Sequence, residues 1–336
     1  MQVDSEELNK SDISDTSTES TSSISIYSIC SQDPKWKDKL IREFEAIDRV
    51  VLHNKLIDEF RDDIVIAKGL SITEYIDFVG FLEKSNRHFG FLFRYDSGNI
   101  IAFEEPSEPH GVLLCRIVGC IGRQNYDLAD PIACSSCSRL SYQVNANVWK
   151  CLEGDVQLYN KYRPNPPVDP HTEGHYPIVV VEIGVSETYN SMHNAAQAHM
   201  RNAETTMVVN VKAVVGSDNI IRQLFCMIYR RDNAFLHNNE YVPSRVISFG
   251  STLHRLSAEA IVNQTHVDAN NFVGLGRHGY NTQCLEPNMA IYQVTIPAGV
   301  LFANAANIPV HIQQQDYVID LYKVVRTQLI QIGAAD

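Results

Sequence analysis

Apolar and polar positions follow two periods along this chain, and the switches between them outline its elements. Trp36, Leu40, Phe44, Ile47 and Val51 recur every three or four residues with charges between them, the stripe of an amphipathic helix; the pattern resumes at Leu56, Ile57 and Phe60. That face needs a cover, from the main domain or from a second copy of the chain. Ser71 followed by Glu74 is a capping box, which opens a short helix through Leu82. Phe89–Tyr95 and Ile100–Phe103 are apolar-rich runs flanking Asp96-Ser-Gly-Asn99, a hairpin turn. Pro106 and Pro109 break the chain, and a helix is expected from about His110 to Arg123, with Leu113, Ile117 and Ile121 among the residues turned inward. Strands follow at Gln143–Trp149, leading on to Val156–Tyr159, and at Ile178–Val185, separated by a Pro- and His-rich loop over Pro164–Tyr176. A helix over about Tyr189–Asn202 and strands at Met207–Val215 and Arg222–Tyr229 complete the series.

This order of helices and strands predicts an α/β domain with a mixed sheet flanked by helices. After Arg231 short apolar runs (Arg245–Phe249, Ala290–Ile296, Val300–Phe302 and Tyr317–Tyr322) alternate with turns. That texture predicts a β-rich C-terminal extension, either a small subdomain or a cover on the sheet. No repeat at a fixed period is visible, which argues against a solenoid or propeller.

Composition changes the picture at the N-terminus. Residues 1–34 are mostly Ser, Thr, Asp and Glu, too polar to offset the entropy of ordering, so the segment reads as a disordered, solubilising tail. The expected organisation is therefore a tail over 1–34, a helical segment over 35–69, an α/β domain over 70–231 and the extension over 232–336. Of the net charge of −12, the tail carries half, with seven acids against one base. The mildly acidic remainder argues against a non-specific coater of nucleic acid and leaves room for a local basic cleft. Eight cysteines in 336 residues are too sparse for a disulfide scaffold. No apolar run approaches the ~18 residues of a membrane helix, and the acidic start does not read as a secretory signal. An intracellular setting, cytoplasm or nucleus, is expected.

Two acids stand out by context. Asp155 opens a strand in Glu153-Gly-Asp155-Val-Gln157, and Glu182 interrupts the very apolar run Pro177-Ile-Val-Val-Val-Glu182-Ile-Gly-Val-Ser186. A carboxylate in a buried strand is costly unless it is paired or bound to a cation. Adjacent strands would set Asp155 and Glu182 side by side, and a divalent ion would relieve their repulsion. The plainer alternative places each at a solvent-facing strand position.

The order and wording of four segments resemble the Uma-type restriction endonuclease family of the PD-(D/E)XK nuclease superfamily. Leu70-Ser-Ile-Thr-Glu-Tyr-Ile76 is similar to its opening helix. Ser97-Gly-Asn-Ile-Ile101 followed by Pro106-Ser-Glu-Pro-His-Gly111 is similar to its step from hairpin to helix. Glu153-Gly-Asp155-Val156 and Pro177–Ser186 are similar to its two carboxylate strands. The resemblance spans roughly Leu70–Tyr229, about half the chain. It implies a restriction-endonuclease-like fold and phosphodiester cleavage, with Mg²⁺ or Mn²⁺ held by Asp155, Glu182 and the Ile183 carbonyl, and nucleic acid as partner. The lysine expected two residues after Glu182 is replaced by Gly184, and Arg94-Tyr95 stands where many members have a glutamate before the hairpin turn. Some members carry the basic residue on the following helix, where Gln197 falls; a neutral amide donates hydrogen bonds but neutralises no charge. Weak cleavage or none is expected on that basis, with Gln197→Lys the change that would raise it.

Lesser signals carry less chemistry. Cys134-Ser-Ser-Cys137 with His171 and His175 could make a Cys₂His₂ zinc set, but the intervening spacing is far too long and no second CxxC exists. His110, Tyr189 and His193 read as packing or capping residues. Three functions compete: a Mg²⁺-dependent nuclease, an inactive descendant binding nucleic acid or protein through the old cleft, and an interaction protein working through its tail and helix 36–60. A homo-oligomer would form through that helix or the C-terminal extension.

Overall fold

In a computed structural model of the chain, the described residues are 35–38, 40–41, 64–84, 91–104, 108–136, 138–145, 148–185, 187–215, 221–250, 262–263, 265–274, 284 and 286–325. The expected tail over 1–34, most of the helix over 36–60, Cys137 and Ser186 lie outside them. Among the described residues no helix is long and apolar enough to cross a membrane.

The first described layer is an antiparallel sheet. Strands β1 (Ile64–Lys68), β2 (Phe91–Asp96), β3 (Asn99–Glu104), β5 (Ser138–Asn145) and β6 (Val148–Gly154) run in the order β1-β3-β2-β6-β5. The Asp96–Asn99 turn closes the β2–β3 hairpin with Ser97 and Gly98 both at positive φ, 54° and 89°. Helix α1 (Ile72–Lys84) starts at the expected capping box: the Ser71 amide donates to Glu74 at 2.6 Å and the Glu74 amide to the Ser71 hydroxyl at 3.2 Å. Its buried face, Tyr75, Phe78, Val79 and Leu82, packs with Trp36, Leu40 and Ile41 in one cluster, so the first helical turns are covered by this chain's own α1.

The second layer is a seven-stranded mixed sheet in the order β14-β13-β10-β9-β8-β7-β4. Its members are β4 (Ile132–Ser135), β7 (Val156–Asn160), β8 (Val179–Gly184), β9 (Met207–Val215), β10 (Ile221–Arg230), β13 (Arg245–Gly250) and β14 (Phe272–Gly274). The β8–β9 and β13–β14 pairs are parallel and the rest antiparallel. Both faces are covered, which is why β8 is apolar at every position but Glu182 rather than alternating. Val179, Val181 and Ile183 face a core shared with Leu113, Ile117 and Ile121 of α2 (Glu108–Asp127). Val180 packs on the other face with Met192, Ala196 and Met200 of α3 (Tyr189–Arg201). Valines 179, 180 and 181 are fully buried, and each contributes roughly 1.5–3 kcal/mol.

Three features depart from the sequence reading. The expected single run Gln143–Trp149 is divided between two antiparallel strands, β5 and β6, and the β2–β3 hairpin and the carboxylate strands belong to different sheets. The chain crosses between the sheets at Gly154–Asp155, where a Cβ on Gly154 would lie 2.9 Å from Val180 Cγ1, so only glycine passes. The run at Val300–Phe302 is helical for most of its length, part of the short α4 (Ala298–Leu301). Beyond Arg231 a two-residue pair, β11 (Leu236–His237) and β12 (Glu240–Tyr241), precedes β13. β13 and β14 then extend the main sheet, while the hairpin of β15 (Gln293–Ile296) and β16 (Tyr317–Asp320) docks on α2. Gln124 exchanges two hydrogen bonds with Val318, at 2.9 and 2.8 Å, and the Tyr317 hydroxyl donates to Asn125 at 2.8 Å.

Candidate carboxylate site

The β7–β8 ladder ends at the pair Val156–Val181, which sets Asp155 beside Glu182 at the edge of the open gap. The Ile183 amide donates to Asp155 Oδ2 across that gap at 2.6 Å. In an extended strand a residue's N–H and C=O point to the same side, so the Ile183 carbonyl faces the gap as well. The three residues named from the sequence as metal-holding are thus brought together by one ladder end.

Each carboxylate also meets a histidine. Asp155 Oδ1 lies 3.0 Å from His110 Nε2, at the first turn of α2. Burial works against a charge on His110, but Asp155, then Glu187 and Glu182, outweigh it and raise its pKa. Glu182 Oε1 lies 2.5 Å from Nε2 of the fully buried His199 of α3, whose Nδ1 is 2.6 Å from the Tyr142 hydroxyl. Burial lowers His199 to about 3, so it is neutral. A Tyr142 hydroxyl donating to Nδ1 and an Nε2–H donating to Glu182 satisfy every partner. Burial, reinforced by Asp155 and Glu187, holds the Glu182 carboxyl well above the usual carboxylate range. Repulsion between apposed carboxylates is what a bound cation relieves.

Gln197 is not part of this constellation. Its amide donates to the Tyr241 carbonyl at 2.6 Å and accepts from the Tyr241 amide at 2.8 Å, clamping β12. The reason is helix register: with His199 on Glu182, a residue two positions back points about 200° away around the helix. Ala195, four positions before His199, is the residue that lines the hollow beside Glu182. The sequence reading also missed His199, Tyr142, Glu187 and Lys212, and took His110 for a packing residue. One signal was available for Lys212: it interrupts the apolar run Met207–Val215 as Glu182 interrupts its own strand.

Two adjoining hollows, of about 110 and 200 Å³, share Arg94, Leu152, Ser191 and Ala195. Glu182, Gly184 and Glu187 line the smaller together with Arg94 and Arg139, Arg139 in an ion pair with Glu153. Lys150, paired with Asp96 at 2.7 Å, borders the larger. Thr188 caps α3 there, its hydroxyl accepting from the Ser191 amide at 3.1 Å.

Asp155, Glu182 and the Ile183 carbonyl offer oxygen donors only, the donor chemistry that suits Mg²⁺, which keeps several waters. Among the described residues no group of three or more His, Cys, Asp or Glu side chains is arranged to enclose an ion. Cys134 is exposed on β4, His171 lies edge-on to Trp149 with ring centroids 4.5 Å apart, and His193 is buried 3.0 Å from the Tyr229 hydroxyl. Tyr189 packs edge-on against Phe225.

No protein-family model matches this chain, and no curated protein matches it. Among solved structures, a candidate nuclease of the DUF820 family from Anabaena variabilis ATCC 29413 is similar at a TM-score of 0.32 and 14% identity, over 50% of this chain and 84% of that one.

Proposed function

We propose that this protein is a metal-dependent nuclease that hydrolyses phosphodiester bonds in nucleic acid. The observation that carries the reading is the apposition of Asp155 and Glu182 at the end of the β7–β8 ladder, with the Ile183 backbone in the gap between them. The four-segment resemblance supports it. Asp155 and Glu182, with the Ile183 carbonyl, would hold Mg²⁺ or Mn²⁺, which when bound activates water and offsets charge on the phosphate. His110 and His199 orient the two carboxylates, and Arg94 and Arg139 line the hollow through which a phosphate would approach. In the overall reaction a water oxygen bonds to phosphorus and gives up a proton to solvent, the bond from phosphorus to the leaving oxygen breaks, and that oxygen takes a proton from solvent.

The test is incubation of the 336-residue chain with labelled DNA and RNA oligonucleotides in Mg²⁺ or Mn²⁺. Products are expected with either metal, and none after chelation or in Asp155→Ala. Intact oligonucleotides under every condition, with no response of the melting temperature to metal, would leave the binding-scaffold reading.

A further inference from the structure

We infer that Lys212 is a buried cation serving the carboxylate site, delivered from the neighbouring strand in place of the lysine missing at position 184. The inference rests on the nuclease reading and adds one residue to it.

Three independent features converge on Lys212. The first is register. β8 and β9 run parallel with Gly184 beside Lys212 and Glu182 beside Asn210, so Lys212 springs from the same face of the sheet as Glu182, next to the vacant strand position. The second is steric. A Cβ on Gly184 would lie 2.4 Å from Met192 Sδ and 3.2 Å from Glu187 Oε2. A side chain at 184 would have to displace the end of Met192, so the present packing keeps this strand position free of an ammonium.

The third feature is what the ammonium touches. Lys212 is only 8% exposed, and its Nζ donates to the Val185 carbonyl. The amide of the same Val185 donates to Glu187 Oε2 at 2.9 Å, and the Glu187 side chain lines the hollow with Glu182 and Gly184. Glu187 acts electrostatically on Lys212, Glu182 and His110 alike, which ties the ammonium to the carboxylate group. An apolar residue would serve β9 better if packing were the only demand, because a buried ammonium is costly. Burial lowers the Lys212 pKa to about 8, which leaves the group charged at neutral pH. A fixed positive charge in this position stabilises negative charge that builds on the phosphate oxygens, and it transfers no proton.

The experiment compares wild type, Lys212→Met and Lys212→Arg, with Asp155→Ala as control. It has two readouts: the rise in melting temperature with Mn²⁺, and cleavage of labelled oligonucleotides in Mn²⁺. All but Asp155→Ala are expected to keep the Mn²⁺ shift. Lys212→Met is expected to lower kcat by about 10²–10³-fold with KM unchanged, and Lys212→Arg to retain part of the rate. Wild-type cleavage by Lys212→Met would overturn the inference. So would loss of its Mn²⁺ shift, which marks a merely structural lysine, and so would a wild type that responds to Mn²⁺ without cleaving. A wild type with neither shift nor cleavage overturns the nuclease reading itself, and Lys212 with it.

Discussion

Glu182 and Lys212 present the same physical problem one strand apart: a charge within a run of valines, removed from water on a sheet covered on both faces. For Lys212 the consequence is a pH dependence with a definite sign. The native side chain gives up its proton at about 8, whereas an unfolded lysine holds it to its ordinary value of 10.5. Between those values the unfolded state binds more protons, so stability rises with pH across that window and the burial penalty is fully present below it. Urea denaturation of wild type and Lys212→Met from pH 7 to 10 checks this. Wild type is expected to gain stability relative to the variant above pH 8, and parallel curves would contradict it. At this scale the chain itself marked Glu182, because a lone acid in an apolar run is visible by eye. Lys212 was equally visible and was passed over, since its use depends on which strand lies beside β8.

Helix α3 shows how an element decides which of its residues take part. The apolar stripe Met192, Ala196 and Met200 is legible from spacing, and it packs as expected against Val180 and Val208. What the spacing leaves open is the rotation of the polar remainder over the sheet. The structure turns His199 and Ala195 toward Glu182 and Gln197 toward β12, where its amide takes both hydrogen-bonding groups of Tyr241. Gln197→Ala is therefore expected to cost about 1–3 kcal/mol, because two backbone groups lose partners, while the Mn²⁺ response stays intact. Gln197→Lys is expected to destabilise without raising cleavage. Chemical denaturation beside the oligonucleotide assay separates these outcomes, and a Gln197→Lys variant that cleaves faster would restore the migrated-lysine argument.

For the whole molecule, the residues beyond Arg231 complete the core of the residues before it. Tyr292, Val294, Ile296, Leu301, Tyr317, Ile319 and Leu321 share one cluster with Leu113, Ile117, Val181 and Val209. Arg116 and Gln124 of α2 bond to the backbone of Val324 and Val318. Ending the chain after residue 288 would expose that face of α2 and the sheet. The truncated protein is expected to lose cooperative unfolding in circular-dichroism melts, and a sharp transition like that of the full chain would show that the core before residue 289 stands without the rest.

Local rules fixed the capping box, the Asp96–Asn99 hairpin, the apolar strands and the suspicion attached to Asp155 and Glu182, because each depends on neighbours within a few residues. The division into two sheets was not legible. The reversal between β5 and β6 gives no clear break in periodicity, and the crossing at Gly154 matters only because Val180 passes so close. The histidine on each carboxylate and the lysine beside position 184 are tertiary facts. They join residues 17 to 45 positions apart in the chain through strand register and helix rotation, which no local period specifies.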